Sequence, residues 1–280
     1  MLTNNFVYNF PRLGIENRFM DDTRSDRQLP PGVPRGVWDY TQADFIASDY
    51  DRYFENHGLM KYDMEVVKQF APEAGRVLDL GCGTGRAILE LANSQRPGIA
   101  VDLSQRMLEL VRTKATAANK PVCCVRANLV ELDFLPSDSI EYAVCLFSTL
   151  GMIKTQRARQ VMLDQVARVL TPSGHLVLHV HNRWFNLYDP GGPWWLFGSL
   201  MRAPFFKDLE VGDKYYAYRG INNFYLHVFS KREISRLLRM AGLRVAKWIP
   251  LNAACDGFLA QPNRLESLRA SGWIMICKRV

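Results

Sequence analysis

A chain of 280 residues with 48% hydrophobic residues can bury one large core or two small ones, and this composition excludes disorder throughout. No run reaches the roughly 18 to 20 apolar residues of a membrane helix, and the N-terminus lacks a charged stretch followed by an apolar one, so a soluble, unexported, cytoplasmic protein is expected. The formal charge of +7, with arginine outnumbering lysine, keeps an acidic partner such as RNA in view, although the basic residues form no dense block.

Residues 1–35 mix Pro11, Pro30, Pro31, Pro34 and Gly32 with scattered charges, a composition that disfavours a packed core and predicts an arm or linker. Over residues 36–70 the pattern turns helical, with Phe45, Tyr53, Phe54, Met60, Met64, Val67 and Phe70 spaced to build apolar faces; two helices broken near "NHGL" are predicted. Across residues 71–182, strand-length runs ("RVLDL", "GIAVDL", "PVCCVRA", "IEYAVCLF", "HLVLHVH") alternate with helical patterns. Such alternation predicts an α/β fold with a doubly wound, mostly parallel sheet.

Residues 183–228 read as an irregular, aromatic-rich insertion, too long for a plain connection, and predict a lid with Trp184, Tyr188, Trp194, Trp195, Tyr215 and Tyr216 as wall candidates. Residues 229–280 complete the sheet. Ser230 and Glu233 form a capping box, Ile234, Leu237, Leu238 and Ala241 make a stripe, Gly242 stops the helix, and "LRVAKWIPL" and "SGWIMICKRV" bring the strands to seven.

Chemistry concentrates in "VLDLGCGTGR", residues 77–86. A glycine-rich turn between strand and helix offers backbone N–H groups and lets a ligand approach the main chain. A dinucleotide fingerprint needs GxGxxG, but Arg86 stands at the third glycine's place and Gly85 comes one residue early. About twenty residues on, "GIAVDLS" supplies Asp102 at the end of its strand run, where a nucleoside-binding sheet presents a carboxylate to both ribose hydroxyls. The six cysteines (82, 123, 124, 145, 255, 277) show no metal-ligand spacing, so reduced thiols and no metal are expected.

With Asp79 before it, "DLGCGTG" resembles the signature loop of class I S-adenosylmethionine-dependent methyltransferases. "RANLVELDF" resembles a turn of the quinone-biosynthesis methyltransferases, and "SIEYAVCLFSTLG" resembles the family's fourth strand, with Glu141 where aspartate is usual. The resemblance implies a Rossmann-like class I fold and S-adenosylmethionine as cofactor. It also implies a binding set of Asp79, Gly81, Cys82, Gly83, Thr84, Gly85, Asp102, Leu103, Asn128, Leu129 and Leu146. Many relatives carry aspartate where Asn128 stands; both residue types can accept from an adenine amino group. "DYDRYFENHG" resembles the family's closing helix, with Tyr50 and Tyr53 as candidates for the methionine carboxylate.

Methyl transfer to a hydroxyl or an activated carbon is helped by a base, and "HLVLHVHN" offers His175, His179 and His181. His181, at the strand's carboxyl end, is the candidate catalytic base. No "NPPY"-like tetrapeptide follows the fourth strand and no RNA module is evident, so the favoured reading is transfer to a small-molecule acceptor by O-, N- or C-methylation. The alternatives are an RNA methyltransferase acting on modified tRNA uridine and a non-catalytic S-adenosylmethionine-binding protein. "PWWLFGSLM" lacks the basic polar face of an interfacial helix, so no stable membrane insertion is expected; the sequence leaves oligomeric state open.

Overall fold

The computed structural model describes residues 29–280; most of the expected N-terminal arm, residues 1–28, lies outside them. Three helices open the described chain: α1 (Arg35–Gln42), α2 (Asp44–Phe54) and α3 (Gly58–Phe70). The break at "NHGL" is where the spacing predicts it. A second break, at the extended Ala43, splits the first predicted helix in two.

The core then alternates β1 (Val77–Leu80), α4 (Arg86–Leu91), β2 (Gly98–Asp102), α5 (Gln105–Ala117), β3 (Val122–Arg126), β4 (Ile140–Cys145), α6 (Gln156–Val169) and β5 (Leu170–His181). After an insertion come α8 (Lys231–Met240), β8 (Leu243–Pro250), α9 (Glu266–Arg269) and β9 (Gly272–Arg279). The seven strands lie in the order β3-β2-β1-β4-β5-β9-β8, parallel from β3 to β5, with β9 antiparallel to β5 and β8. Alternate strand residues face opposite layers. Val77, Ala100, Tyr142, Val144 and Val177 meet α3, α4 and α5, whereas Leu78, Leu80, Val101, Ala143 and Leu176 meet α6 and α8.

The insertion is more regular than its sequence suggests. It comprises a 3-10 segment (Arg183–Tyr188), α7 (Gly192–Arg202) and a hairpin of β6 (Asp213–Tyr218) and β7 (Ile221–His227). Two physical reasons hid these elements. Helix α7 is apolar on both faces and so carries no helical period, and "DKYYAY" does not alternate polar with apolar. The hairpin did leave one signal: Arg219 and Gly220 both take positive φ, the backbone that a two-residue hairpin turn demands.

Rather than hanging free, the hairpin packs on α1, with the Tyr40 ring 5.9 Å from Tyr218 and 5.2 Å from Phe224. A buried clasp anchors its base. His227 bridges Asp213 and Glu233 at 2.7 Å each, Tyr225 donates to Asp213, and Arg159 of α6 pairs with Glu210.

Candidate functional site

At the carboxyl ends of β1, β2 and β4, one cavity is lined by ten of the eleven predicted binding residues: Asp79, Gly81, Cys82, Gly83, Thr84, Asp102, Leu103, Asn128, Leu129 and Leu146. Gly85 stays behind the loop. A Cβ there would meet Val111 of α5 at 2.9 Å, so this glycine serves helix packing.

The three glycines therefore have separate tasks. All take positive φ (75°, 53° and 87° for Gly81, Gly83 and Gly85), which side chains disfavour. A Cβ on Gly81 would strike Thr149 at 2.5 Å; a Cβ on Gly83 has Tyr50 as its nearest neighbour, at 3.9 Å. Gly81 and Gly83 both line the cavity, and Gly83 has the more open space beside its bare backbone. Its N–H donates to Asp102 Oδ2 at 2.9 Å, and Ser104 N–H donates to Oδ1 at 2.8 Å, which leaves each carboxylate oxygen with accepting capacity.

Burial pushes the Asp79 carboxyl up to about 7, against the opposing pull of Arg86 and of the Ile88 N–H at 3.1 Å. Burial also raises Asp102, opposed by hydrogen bonds from Ser104 and Gly83. Two desolvated carboxylates thus share one cavity whose lining is largely apolar, an environment in which a cation is the natural counter-group.

Arg86, the residue that breaks the dinucleotide fingerprint, is an anchor. Its guanidinium donates to both oxygens of Asp63 on α3, at 2.5 and 2.9 Å, and to Met60 O at 2.7 Å. Helix α2 is tied to the loop by Thr84 Oγ1 donating to Asp51 at 2.5 Å, with Lys114 on the same carboxylate. Of the tyrosine candidates, Tyr50 lines the cavity, while Tyr53 is exposed beneath the Arg219 guanidinium, 4.3 Å from its ring.

Sequence reasoning missed a strap. Residues 30–34, placed in the arm by composition, lie across the cavity: Gly32 and Val33 line it, Asn128 Nδ2 donates to Pro31 O at 2.9 Å, and Lys154 N–H donates to Gly32 O at 2.8 Å. The signal was present, since proline-rich backbone without a ladder still offers carbonyls, but nothing local says what they meet.

The structure keeps His181 out of the cavity lining. Its ring stands 4.9 Å from His179, with His57 and Lys214 close by, and burial together with Lys214 and His57 drives its pKa down to about 4. His179 is fully buried, and neither ring nitrogen has a hydrogen-bond partner. Phe147 connects this group to the cavity, which it lines, by packing edge-on against His57 at 5.6 Å. The lid candidates fare differently again: Trp194, Tyr188 and Tyr215 are exposed, Trp195 donates to Asp213 O, and none lines the cavity.

Residues 77–174 match the family model described as a methyltransferase domain. Among curated proteins, the chain is 29% identical over 137 residues to the putative methyltransferase YqeM of Bacillus subtilis, covering 49% of this chain and 54% of that one. It is 30% identical over 161 residues to the demethylmenaquinone methyltransferase of Clavibacter sepedonicus, covering 55% and 60%. The chain thus spans little more than half the length of these relatives. The fold matches the crystal structure of Burkholderia thailandensis 1,6-didemethyltoxoflavin-N1-methyltransferase, bound to 1,6-didemethyltoxoflavin and S-adenosylhomocysteine, with a TM-score of 0.59 at 17% identity over 90% of this chain and 92% of that one.

Proposed function

We propose, from the premise that this chain carries a class I S-adenosylmethionine-dependent methyltransferase domain, that it binds the methyl donor in the cavity at the ends of β1, β2 and β4 and methylates a small-molecule acceptor. The observation that carries this reading is the meeting of the open Gly83 backbone with two buried carboxylates, Asp79 and Asp102, in a single cavity. The donor set fits the cofactor: when bound, it supplies an activated methyl on a positively charged sulfonium, and it presents ribose hydroxyls and an adenine.

The chain's own residues then have binding, orienting and water-excluding tasks. In this reading Asp102 accepts from the ribose hydroxyls, and Leu103 follows it at the same rim. Asn128 and Leu129 take the adenine, with Leu146 against the nucleoside. Asp79 supplies negative charge, while Cys82, Gly83 and Thr84 form the floor that Gly81 and Gly85 hold in shape.

A small acceptor is supported by the cover over this edge of the sheet, where α1, α2 and the strap enclose the cavity. Two proteins similar to this chain, a demethylmenaquinone methyltransferase and a 1,6-didemethyltoxoflavin methyltransferase, act on small molecules. His181 is assigned as the acceptor-side residue. Standing outside the cavity lining, its neutral imidazole would accept a hydrogen bond only from an acceptor hydroxyl that reaches past Phe147, and its lowered pKa makes it an orienting group more than a strong base.

The test is transfer of labelled methyl from S-adenosylmethionine into a fractionated extract. Label in low-molecular-weight material is the expected result. Label in RNA, with binding that weakens steeply as salt rises, overturns the acceptor class. Retained cofactor binding with no label anywhere makes the chain a binding protein.

A further inference from the structure

Helix α7 turns the usual rule for a surface helix inside out. Gly192, Leu196 and Ser199 face the protein, yet the opposite stripe, where a solvated helix carries charge, holds Trp194 (80% exposed), Phe197 and Met201. The turn that follows adds Phe205 (79% exposed) and Phe206, and Tyr188 is exposed just before the helix. These side chains form a protruding aromatic patch rather than a groove.

Its charge is one-sided. From Pro190 to Lys207 the only ionisable residues are Arg202 and Lys207, with no acid between them. Asp208 is the single exposed acid at that end. The 3-10 segment before α7 abuts the turn around α9, where Asn182 Nδ2 donates to Ser267 O and Ala270 O, and that turn carries the exposed Arg264.

We propose that this face of the insertion docks reversibly on an anionic lipid surface, with the aromatic side chains entering the headgroup region and Arg202, Lys207 and Arg264 meeting the lipid phosphates. The lack of a basic polar helix face does not count against it. That requirement applies to a free interfacial helix whose other side meets water, whereas the inner side of α7 is already packed on protein. Among the described residues no helix is long and apolar enough to cross a membrane, so the contact is peripheral. Charge favours lipid over a second copy of the chain: two such faces brought together would set like charges opposite one another with almost no acid to pair them, while an anionic leaflet supplies the complement. Aromatic tips flanked by cations are also what the membrane interface selects.

The experiment is flotation of the full chain with vesicles of phosphatidylcholine alone and of phosphatidylcholine mixed with phosphatidylglycerol. Binding to the mixed vesicles that weakens with salt and is several-fold weaker on phosphatidylcholine alone is expected. The double variant Trp194→Ser with Phe205→Ser should lose at least about tenfold in partitioning, because membrane affinity scales with buried apolar area. Arg202→Gln with Lys207→Gln should remove most of the preference for anionic lipid. Both variants should keep wild-type S-adenosylmethionine binding by calorimetry and wild-type melting, which separates loss of docking from loss of fold and from failure of the methyltransferase reading. Absence of binding to either vesicle, or unchanged binding by the aromatic double variant, overturns the proposal. So does concentration-dependent dimerisation in sedimentation that this variant abolishes, which would assign the face to a second copy.

Discussion

The sharpest consequences of this site fall on single side chains. Asp102 holds the loop through Gly83 and Ser104 while its remaining lone pairs face the cavity, so Asp102→Ala should weaken S-adenosylmethionine binding by about 2 to 4 kcal/mol in calorimetry. Unchanged affinity would remove the ribose assignment. Asp79 adds a pH effect with a definite sign. Its carboxyl titrates near 7, so it loses charge as pH falls through that value and the cavity becomes a poorer host for a cation. Affinity for S-adenosylmethionine should therefore fall between about pH 8 and pH 6, more than affinity for S-adenosylhomocysteine, which lacks the sulfonium charge. Equal pH profiles for the two ligands would count against it. His179 makes the opposite kind of prediction. A fully buried imidazole with no hydrogen-bond partner costs stability, so His179→Leu should leave the unfolding free energy unchanged or raise it by up to about 1 kcal/mol, read as an unchanged or higher melting temperature. Both His179 and His181 are held below their ordinary values by burial, so the unfolded chain takes up protons first on acidification. Their protonation therefore adds no penalty to the fold above about pH 6.5 and an increasing one as pH falls toward 4.

Elements explain which parts of this protein could be read in advance. The five parallel strands were legible because a buried parallel sheet needs short apolar runs, β8 and β9 because they follow a clearly capped helix, and the glycine loop because positive φ leaves little choice of residue. The strap, α7 and the hairpin were not, since their placement depends on partners far away in sequence, such as Asn128 for Pro31 and Tyr40 for Tyr218. Arg86 illustrates the limit best. From the sequence it reads as a missing glycine; in the fold it neutralises a carboxylate, Asp63, buried in α3. Arg86→Met should destabilise by roughly 3 to 5 kcal/mol in chemical denaturation, because Asp63 is left buried without its partner. Adding Asp63→Asn should recover part of that loss, and no recovery would mean that the pair is not the cause.

For the molecule as a whole, the insertion is joined to the core by chemistry that senses acid. Burial raises Asp213 and Glu233, but His227 together with the Glu210 N–H and Tyr225 on Asp213, and with Arg159 and Arg183 near Glu233, outweighs it, and both end up below their ordinary values. Depressed carboxyls lend stability that is present above the unfolded values of 3.8 and 4.5 and is lost as pH falls through the folded ones. Below about pH 4 the hairpin should therefore loosen, with amide exchange rising in β6 and β7 before the sheet. Simultaneous exchange in both regions would contradict a separate clasp.

The strap across the cavity also bears on time. The amide hydrogen of Asn128 is what reaches the Pro31 carbonyl; an aspartate would set a carboxylate against that oxygen. Asn128, which we propose meets the adenine, thus also ties down the strap, which couples strap opening to release of a bound nucleoside in that reading. Asn128→Asp should shorten the residence time of S-adenosylhomocysteine while changing its association rate little, so that the spent cofactor would depart sooner and each catalytic cycle would end faster.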